Sequence, residues 1–127
     1  MNDRTPLLNP LRQAVALGRL RPLDLHFARW LGELAGEPTG PRLLAAALAS
    51  RQLGEGAVCL DLPAFAERSP FADLPGLMAP ALDDWRADLQ AWPAVQGAAA
   101  ALTSGGASPL VLDAADRLYL GRYWNIE

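Results

Sequence analysis

The segment Leu43–Ala49 is the feature that most restricts how this chain can fold. It contains only leucine and alanine, so a helix formed there has no polar face to expose to water. Pro41 suits the first helical turn, and Thr39 or Gly40 can cap that end. Gly54 can adopt the left-handed conformation that ends a helix. We therefore predict a central helix, buried on all sides, that begins at Pro41 and ends at Gly54.

β-Strand periodicity occurs in three segments. Apolar residues alternate with others across Val58–Leu62, directly after the central helix, and this two-residue period predicts a strand. Near the end of the chain, Leu110–Leu112 and Arg117–Trp124 show strand patterning on either side of Asp113–Asp116. We predict that these two segments form a β-hairpin, with Asp113–Asp116 as its turn.

Apolar residues at helical spacing predict a second helix from about Pro22 to Gly36. They fall at i, i+4, i+7, i+8 and i+11, a single stripe that we expect to face the core. Burial of Phe27 and Trp30 would contribute about 2–3 kcal/mol each. An i,i+4 ion pair of Arg29 with Glu33, on the opposite face, would contribute only a few tenths of a kcal/mol. The predicted buried stripe comprises Leu23, Phe27, Trp30, Leu31 and Leu34.

Proline and glycine mark the ends of two further helices. Asn9 and Pro10 resemble the N-cap and first residue of a short helix that ends at Gly18. An earlier start is disfavoured, because Pro10 would then lie inside the helix without its hydrogen bond. Pro80 opens another helix, which Pro93 interrupts. The apolar stripe of this helix comprises Leu82, Trp85, Leu89 and Trp92.

Weaker patterns complete the predicted fold. Ala64–Arg68 is predicted to form one helical turn and Ala94–Leu102 a short helix, while the proline- and glycine-rich remainder of Pro63–Pro80 is predicted to be irregular. The chain of 127 residues is long enough for a single domain, 1–127, with one core. We therefore predict a mainly α, α+β domain of four to five helices with a short strand and a C-terminal β-hairpin.

Composition excludes several classes of function. All 11 basic residues are arginines, so the chain has neither a phosphate-binding-loop lysine nor a Schiff-base lysine. The net charge of −3 argues against a free-standing nucleic-acid-binding protein, since phosphate contacts favour a basic one. No signal peptide and no apolar run of membrane-helix length is present, so we expect a soluble, cytoplasmic protein without membrane contact.

Reactive side chains do not form a catalytic constellation in this sequence. His26 is the single histidine and lies beside an apolar stripe, which favours a half-buried structural role over that of a general base. Cys59 is the single cysteine, and its apolar neighbours favour a small buried side chain. Asp84 and Asp88 share a helix face with Asp83 nearby, but the further ligands of a cation site are lacking. We therefore predict no catalytic, cofactor-binding or metal-binding residue.

Aromatic and arginine side chains near the end of the chain predict a partner interface. Tyr123 and Trp124 directly follow Arg122, and these residue types are enriched at protein–protein contacts. We therefore predict that Arg122, Tyr123 and Trp124 contact a partner protein.

Two alternative functions stay open from the residues alone. A DNA-contacting accessory domain would need several arginines to be gathered by the fold into one footprint. A small enzyme would need a deep pocket that holds His26, Cys59 and an acid. The arginines of the first alternative are Arg19, Arg21, Arg51 and Arg122.

A series of short motifs resembles a known family over nearly the whole chain. The most specific pieces are Gly-Glu-Gly-x-Val-Cys-Leu, which begins at Gly54, and Asp-Arg-Leu-Tyr-Leu, which begins at Asp116. The series resembles the N-terminal domain of the exodeoxyribonuclease V alpha subunit, the RecD subunit of the bacterial RecBCD helicase–nuclease. In order, the motifs are Arg21-Pro22-Leu23-Asp24, Phe27-Ala28, Ala45-Ala46-Ala47-Leu48 with Ser50, Gly54-Glu55-Gly56, Val58-Cys59-Leu60, Pro109-Leu110, and Asp116-Arg117-Leu118-Tyr119-Leu120 with Arg122 and Trp124.

The resemblance implies a non-catalytic docking domain cut from a longer chain. In that family the ATP-dependent 5′-to-3′ helicase motor follows this region and the nuclease site is on another subunit. ATP and magnesium are therefore expected only in the missing motor domains, and no family catalytic residue corresponds to a residue of this chain. The full-length protein would be a DNA helicase subunit acting in double-strand-break repair and recombination. The implied direct partner is the gamma subunit, RecC, which connects the chain to the beta subunit, RecB. DNA would be contacted only through the full complex.

Overall fold

The computed structural model describes residues 5–97 and 109–121, with side chains from residue 8 onward. Over these residues it confirms the predicted mainly α, α+β class. None of the helices it describes is long and apolar enough to cross a membrane. The elements are helices α1 (Thr5–Ala16), α2 (Pro22–Ala35), α3 (Gly40–Gly54), α4 (Leu62–Phe65) and α5 (Leu82–Gln90), and strands β1 (Leu60–Asp61), β2 (Val95–Gly97), β3 (Leu110–Leu112) and β4 (Arg117–Leu120).

Helix α3 lies at the centre of the domain, as predicted. Every residue from Arg42 to Ser50 is buried. Helices α1, α2 and α5 pack against α3, and strands β1 and β4 do so as well. The Thr39 hydroxyl caps the helix by accepting a hydrogen bond from the Arg42 N–H at 3.2 Å. The alanines of α3 are small enough for these neighbours to approach it closely, which is why the helix can be covered on all sides.

The glycine that turns the chain after α3 is Gly56, whereas the sequence favoured Gly54. Gly56 has a φ of +94°, in the left-handed region. Gly54 is the last helical residue, and the C-cap is Glu55, with φ −95° and ψ 7°. The helix therefore runs to Gly54 as predicted, but the left-handed turn lies two residues later.

The predicted C-terminal hairpin is confirmed, although β4 ends at Leu120 and the described Gly121, inside the predicted second strand, is not part of it. β3 and β4 pair antiparallel, with Leu110 opposite Leu120. The Asp113 carboxylate fixes the turn by accepting the N–H groups of Ala115 and Arg117, both at 2.9 Å. β4 continues on its other side to β1, so the sheet order is β1-β4-β3-β2.

Helix α1 begins at Thr5, so the prediction that Pro10 opens it is wrong. Pro10 lies inside the helix, where it removes one backbone hydrogen bond. Two leucines of α1, Leu8 and Leu11, are buried in the core. Burying a leucine contributes about 1.5–3 kcal/mol, which offsets most of the cost of an interior proline. Packing therefore extends α1 past the residue that local propensity would place at its start.

Three shorter elements also differ from the sequence prediction. The first strand is confined to Leu60–Asp61, because Leu62 already begins helix α4 instead of the predicted turn at Ala64–Arg68. Val95–Gly97 is a strand and not part of a helix, because it pairs in parallel with β3. The rest of the helix predicted over Ala94–Leu102 lies outside the described residues from 98 onward. The strand at Val95–Gly97 was missed because its pairing with β3 is not visible in the local pattern.

Two buried tryptophans, one in α5 and one just after it, bond to the start of α3 and the end of α2. Trp85 is fully buried, and its indole N–H donates to the Pro41 carbonyl at 3.0 Å. The Trp92 indole donates to the Gly36 carbonyl at 2.8 Å. The prediction that Trp85, Leu89 and Trp92 face the core is confirmed. Both indoles thus bury a large ring while keeping their single donor satisfied.

Candidate functional site

Helix α2 turns a different face to the core from the one its apolar spacing predicted. Leu23, Trp30 and Leu34 are 60%, 51% and 59% exposed. Phe27 is half-buried, and Leu31 alone of the predicted stripe is fully buried. The prediction of one buried stripe is therefore wrong for most of its members. The residues that α2 does bury are Asp24, Ala28, Leu31 and Gly32.

Small side chains on the buried face explain this orientation of α2. Ala28 and Gly32 lie one helical turn apart and let α2 approach α3 closely. A Cβ atom added at Gly32 would lie 3.2 Å from Leu43 Cδ2 on α3. Larger residues do not fit in this contact, so the bulky side chains lie on the outer side. A stripe of small residues opposite the alanine-rich α3 is the sequence signal that could have predicted it.

A buried carboxylate fixes the start of α2. Asp24 is fully buried and accepts hydrogen bonds from the Arg21 backbone N–H at 2.8 Å, Arg21 Nη2 at 2.7 Å and Ser50 Oγ at 2.7 Å. Burial alone would raise the pKa of Asp24, but the hydrogen bonds from Arg21 and Ser50 outweigh it and hold the pKa below its usual value. The ionised carboxylate therefore joins the beginning of α2 to the end of α3.

Gly54 provides the space that the Arg21 guanidinium occupies. Arg21 Nη2 donates to the Ser50 carbonyl at 2.9 Å, which holds the guanidinium over the last turn of α3. A Cβ atom added at Gly54 would lie 2.5 Å from Arg21 Cζ. The cluster of Arg21, Asp24, Ser50 and Gly54 thus brings together residues from three separate sequence motifs.

The Gly54→Ala substitution is expected to lower the free energy of unfolding by no more than about 1 kcal/mol, because the atoms it would meet are the far end of the flexible, half-exposed Arg21 side chain. It displaces the guanidinium from its charged hydrogen bonds, and this loss exceeds the usual gain from replacing glycine in a helix. In an Arg21→Ala background the same change should instead stabilise the domain by up to about 1 kcal/mol. A double-mutant cycle measured by urea unfolding checks this, and additive effects of the two substitutions would contradict the proposed contact.

The outward-facing apolar residues of α2 form one continuous row. The row is spaced at intervals of four, three and four residues, which places its members along one side of the helix. It comprises Leu23, Phe27, Trp30 and Leu34. The rings of Phe27 and Trp30 lie 6.1 Å apart between centroids. We call these four residues the α2 stripe. A single exposed leucine needs no explanation, but a contiguous apolar row containing an exposed tryptophan is typical of a protein-contact surface.

A polar edge accompanies the α2 stripe along the helix. His26, Arg29 and Glu33 are exposed and lie on the side of the stripe away from the core. Arg29 and Glu33 form the predicted i,i+4 ion pair, with Nε and Oε2 3.5 Å apart. The predicted half-buried position of His26 is wrong, because α2 is rotated relative to the expected orientation. The stripe therefore has the apolar centre and polar rim that protein interfaces share.

The arginines of the DNA-contact alternative are near one another but paired with acids. Arg51 Nε donates to the Arg19 carbonyl at 3.0 Å, and Arg21 reaches the same end of α3. Arg19 pairs with Asp73 at 3.0 Å, and its hydrogen bond lowers the pKa of that carboxyl. Arg21 and Arg51 pair with carboxylates at 2.7 and 3.1 Å. These three side chains therefore do not form an unpaired positive footprint, and Arg122 lies outside the described residues.

The candidate catalytic residues do not meet in one pocket. His26 is exposed on α2, and Cys59 is half-buried before β1. In residues 5–97 and 109–121, no group of three histidine, cysteine or acidic side chains could hold a metal ion. A cleft of about 150 Å³ between α1 and the start of α3 has no titratable side chain in its lining, which includes Leu11, Leu44 and Leu77.

The predicted partner contact at Arg122, Tyr123 and Trp124 lies outside the described residues. The last described residue is Gly121, whose N–H donates to the Pro109 carbonyl at 2.8 Å. The structure thus leaves that prediction untested, while the α2 stripe is a surface that the sequence pattern had assigned to the core.

Comparison with known proteins gives a consistent result. A family model described as "RecBCD enzyme subunit RecD, N-terminal domain" matches residues 16–119. The chain is 40% identical over 105 residues to the RecBCD enzyme subunit RecD of Mycolicibacterium smegmatis, an alignment that covers 83% of this chain and 17% of the relative. It is 38% identical over 112 residues to the same subunit of Mycobacterium tuberculosis H37Rv, and this alignment covers 87% of this chain and 17% of that relative. The chain thus spans about 17% of the length of these curated relatives.

Proposed function

The chain belongs to the RecD N-terminal domain family, and on that premise we propose that it is a non-catalytic docking domain of a RecBCD-type enzyme. In this role it attaches the alpha subunit to the gamma subunit, RecC, and through RecC to the beta subunit, RecB. The observation that carries this proposal is the α2 stripe, an exposed apolar row on a helix whose other face is fixed in the core.

The rigid attachment of α2 supports a docking role. Asp24 is bonded to Ser50 of α3 at one end of the helix, and Gly32 packs on Leu43 further along. A surface that is already ordered loses little conformational freedom on binding, so more of its apolar contact contributes to affinity. Trp30 is also among the residue types that most often dominate the binding free energy of an interface.

The catalytic functions of the full-length subunit belong, in this proposal, to the part of the chain beyond this domain. That part would bind ATP and magnesium and act as the 5′-to-3′ helicase motor in double-strand-break repair and recombination. The 127-residue chain spans only about 17% of its relatives, which leaves ample length for such a motor. We place the assembly in the cytoplasm, and DNA is reached through the full complex.

Deleting this domain from a full-length alpha subunit tests the docking role. The shortened subunit is expected to lose co-purification with the gamma subunit while its motor still hydrolyses ATP. The intact alpha subunit, purified in the same way, is the control. Binding of the gamma subunit at wild-type strength after deletion would refute the proposal.

A direct DNA contact is the competing function, and the ion pairs weigh against it. Arg19, Arg21 and Arg51 already have carboxylate partners, which a phosphate would have to displace. Titration of the 127-residue chain with single- and double-stranded oligonucleotides at two salt concentrations separates the two functions. Affinity that falls steeply with salt would support a phosphate contact.

A further inference from the structure

We draw no further inference here: the strongest candidate, the apolar cleft between α1 and the start of α3 that Leu11, Leu44 and Met78 help to line, is a surface for which nothing in the structure shows what covers it.

Discussion

Replacing Trp85 with alanine is expected to lower the free energy of unfolding by about 4 kcal/mol, because it removes one of the largest fully buried side chains. Trp85 lies between α5 and α3, and its indole N–H donates to the Pro41 carbonyl at 3.0 Å. Truncation leaves a large cavity and an unpaired carbonyl at the start of the central helix. Urea unfolding of the 127-residue chain, followed by circular dichroism, measures the loss.

The matched control for Trp85→Ala is Trp30→Ala. Trp30 is 51% exposed, so its removal should cost less than about 1 kcal/mol. From the sequence alone the two tryptophans are equivalent, because each lies in an apolar stripe at helical spacing. A loss of several kcal/mol on truncating Trp30 would show that α2 packs in the orientation first predicted, with its stripe in the core.

Replacing Asp24 with alanine is expected to lower the free energy of unfolding by about 3 kcal/mol. The change removes the acceptor for the Arg21 backbone N–H and for Ser50 Oγ, and the latter is buried. It also leaves the Arg21 guanidinium without its carboxylate partner at the junction of α2 and α3. Urea unfolding at about pH 7 measures this loss, and a value within about 0.5 kcal/mol of wild type, roughly the scatter of surface substitutions, would contradict the structural role.

The same carboxylate should make stability depend on pH in acid. The pKa of Asp24 is lower in the folded than in the unfolded chain, so its stabilising effect is complete above the unfolded pKa of about 4. As the pH falls further, the unfolded chain takes up its proton first, and stability decreases towards the folded pKa. Asp24→Asn should therefore show a shallower decrease than wild type below about pH 4. Asp73 and Asp116, whose pKa values are also lowered, titrate in both proteins and cancel in the comparison.

Sequence patterns predicted the centre of this fold well, because burial there is complete. A helix of leucine and alanine without a polar face is stable only where other elements cover it on all sides, and α3 is buried in this way. The tryptophan stripe of α5 and the hairpin turn at Asp113–Asp116 were predicted for similarly local reasons. In each case the short-range pattern and the three-dimensional contacts favour the same structure.

The orientation of α2 could not be predicted from hydrophobicity, because a contact between helices also depends on size. Ala28 and Gly32 allow a close approach to α3 that Trp30 would prevent. The buried Asp24 also requires Ser50, which is distant in sequence, before its burial is favourable. The candidate site was therefore missed for a physical reason, since the bulkiest apolar residues lie on the outer side of the helix.

Binding of the α2 stripe to a separate subunit is tested most directly by one ratio of affinities. The dissociation constant of the gamma subunit is measured with the full-length alpha subunit carrying Trp30→Ala and Leu34→Ala, and again with the control variant Met78→Ala, which truncates an exposed apolar side chain outside α2. If the stripe is the docking surface, the first constant will be at least about 30-fold higher than the second. Equal constants for the two variants would contradict this assignment.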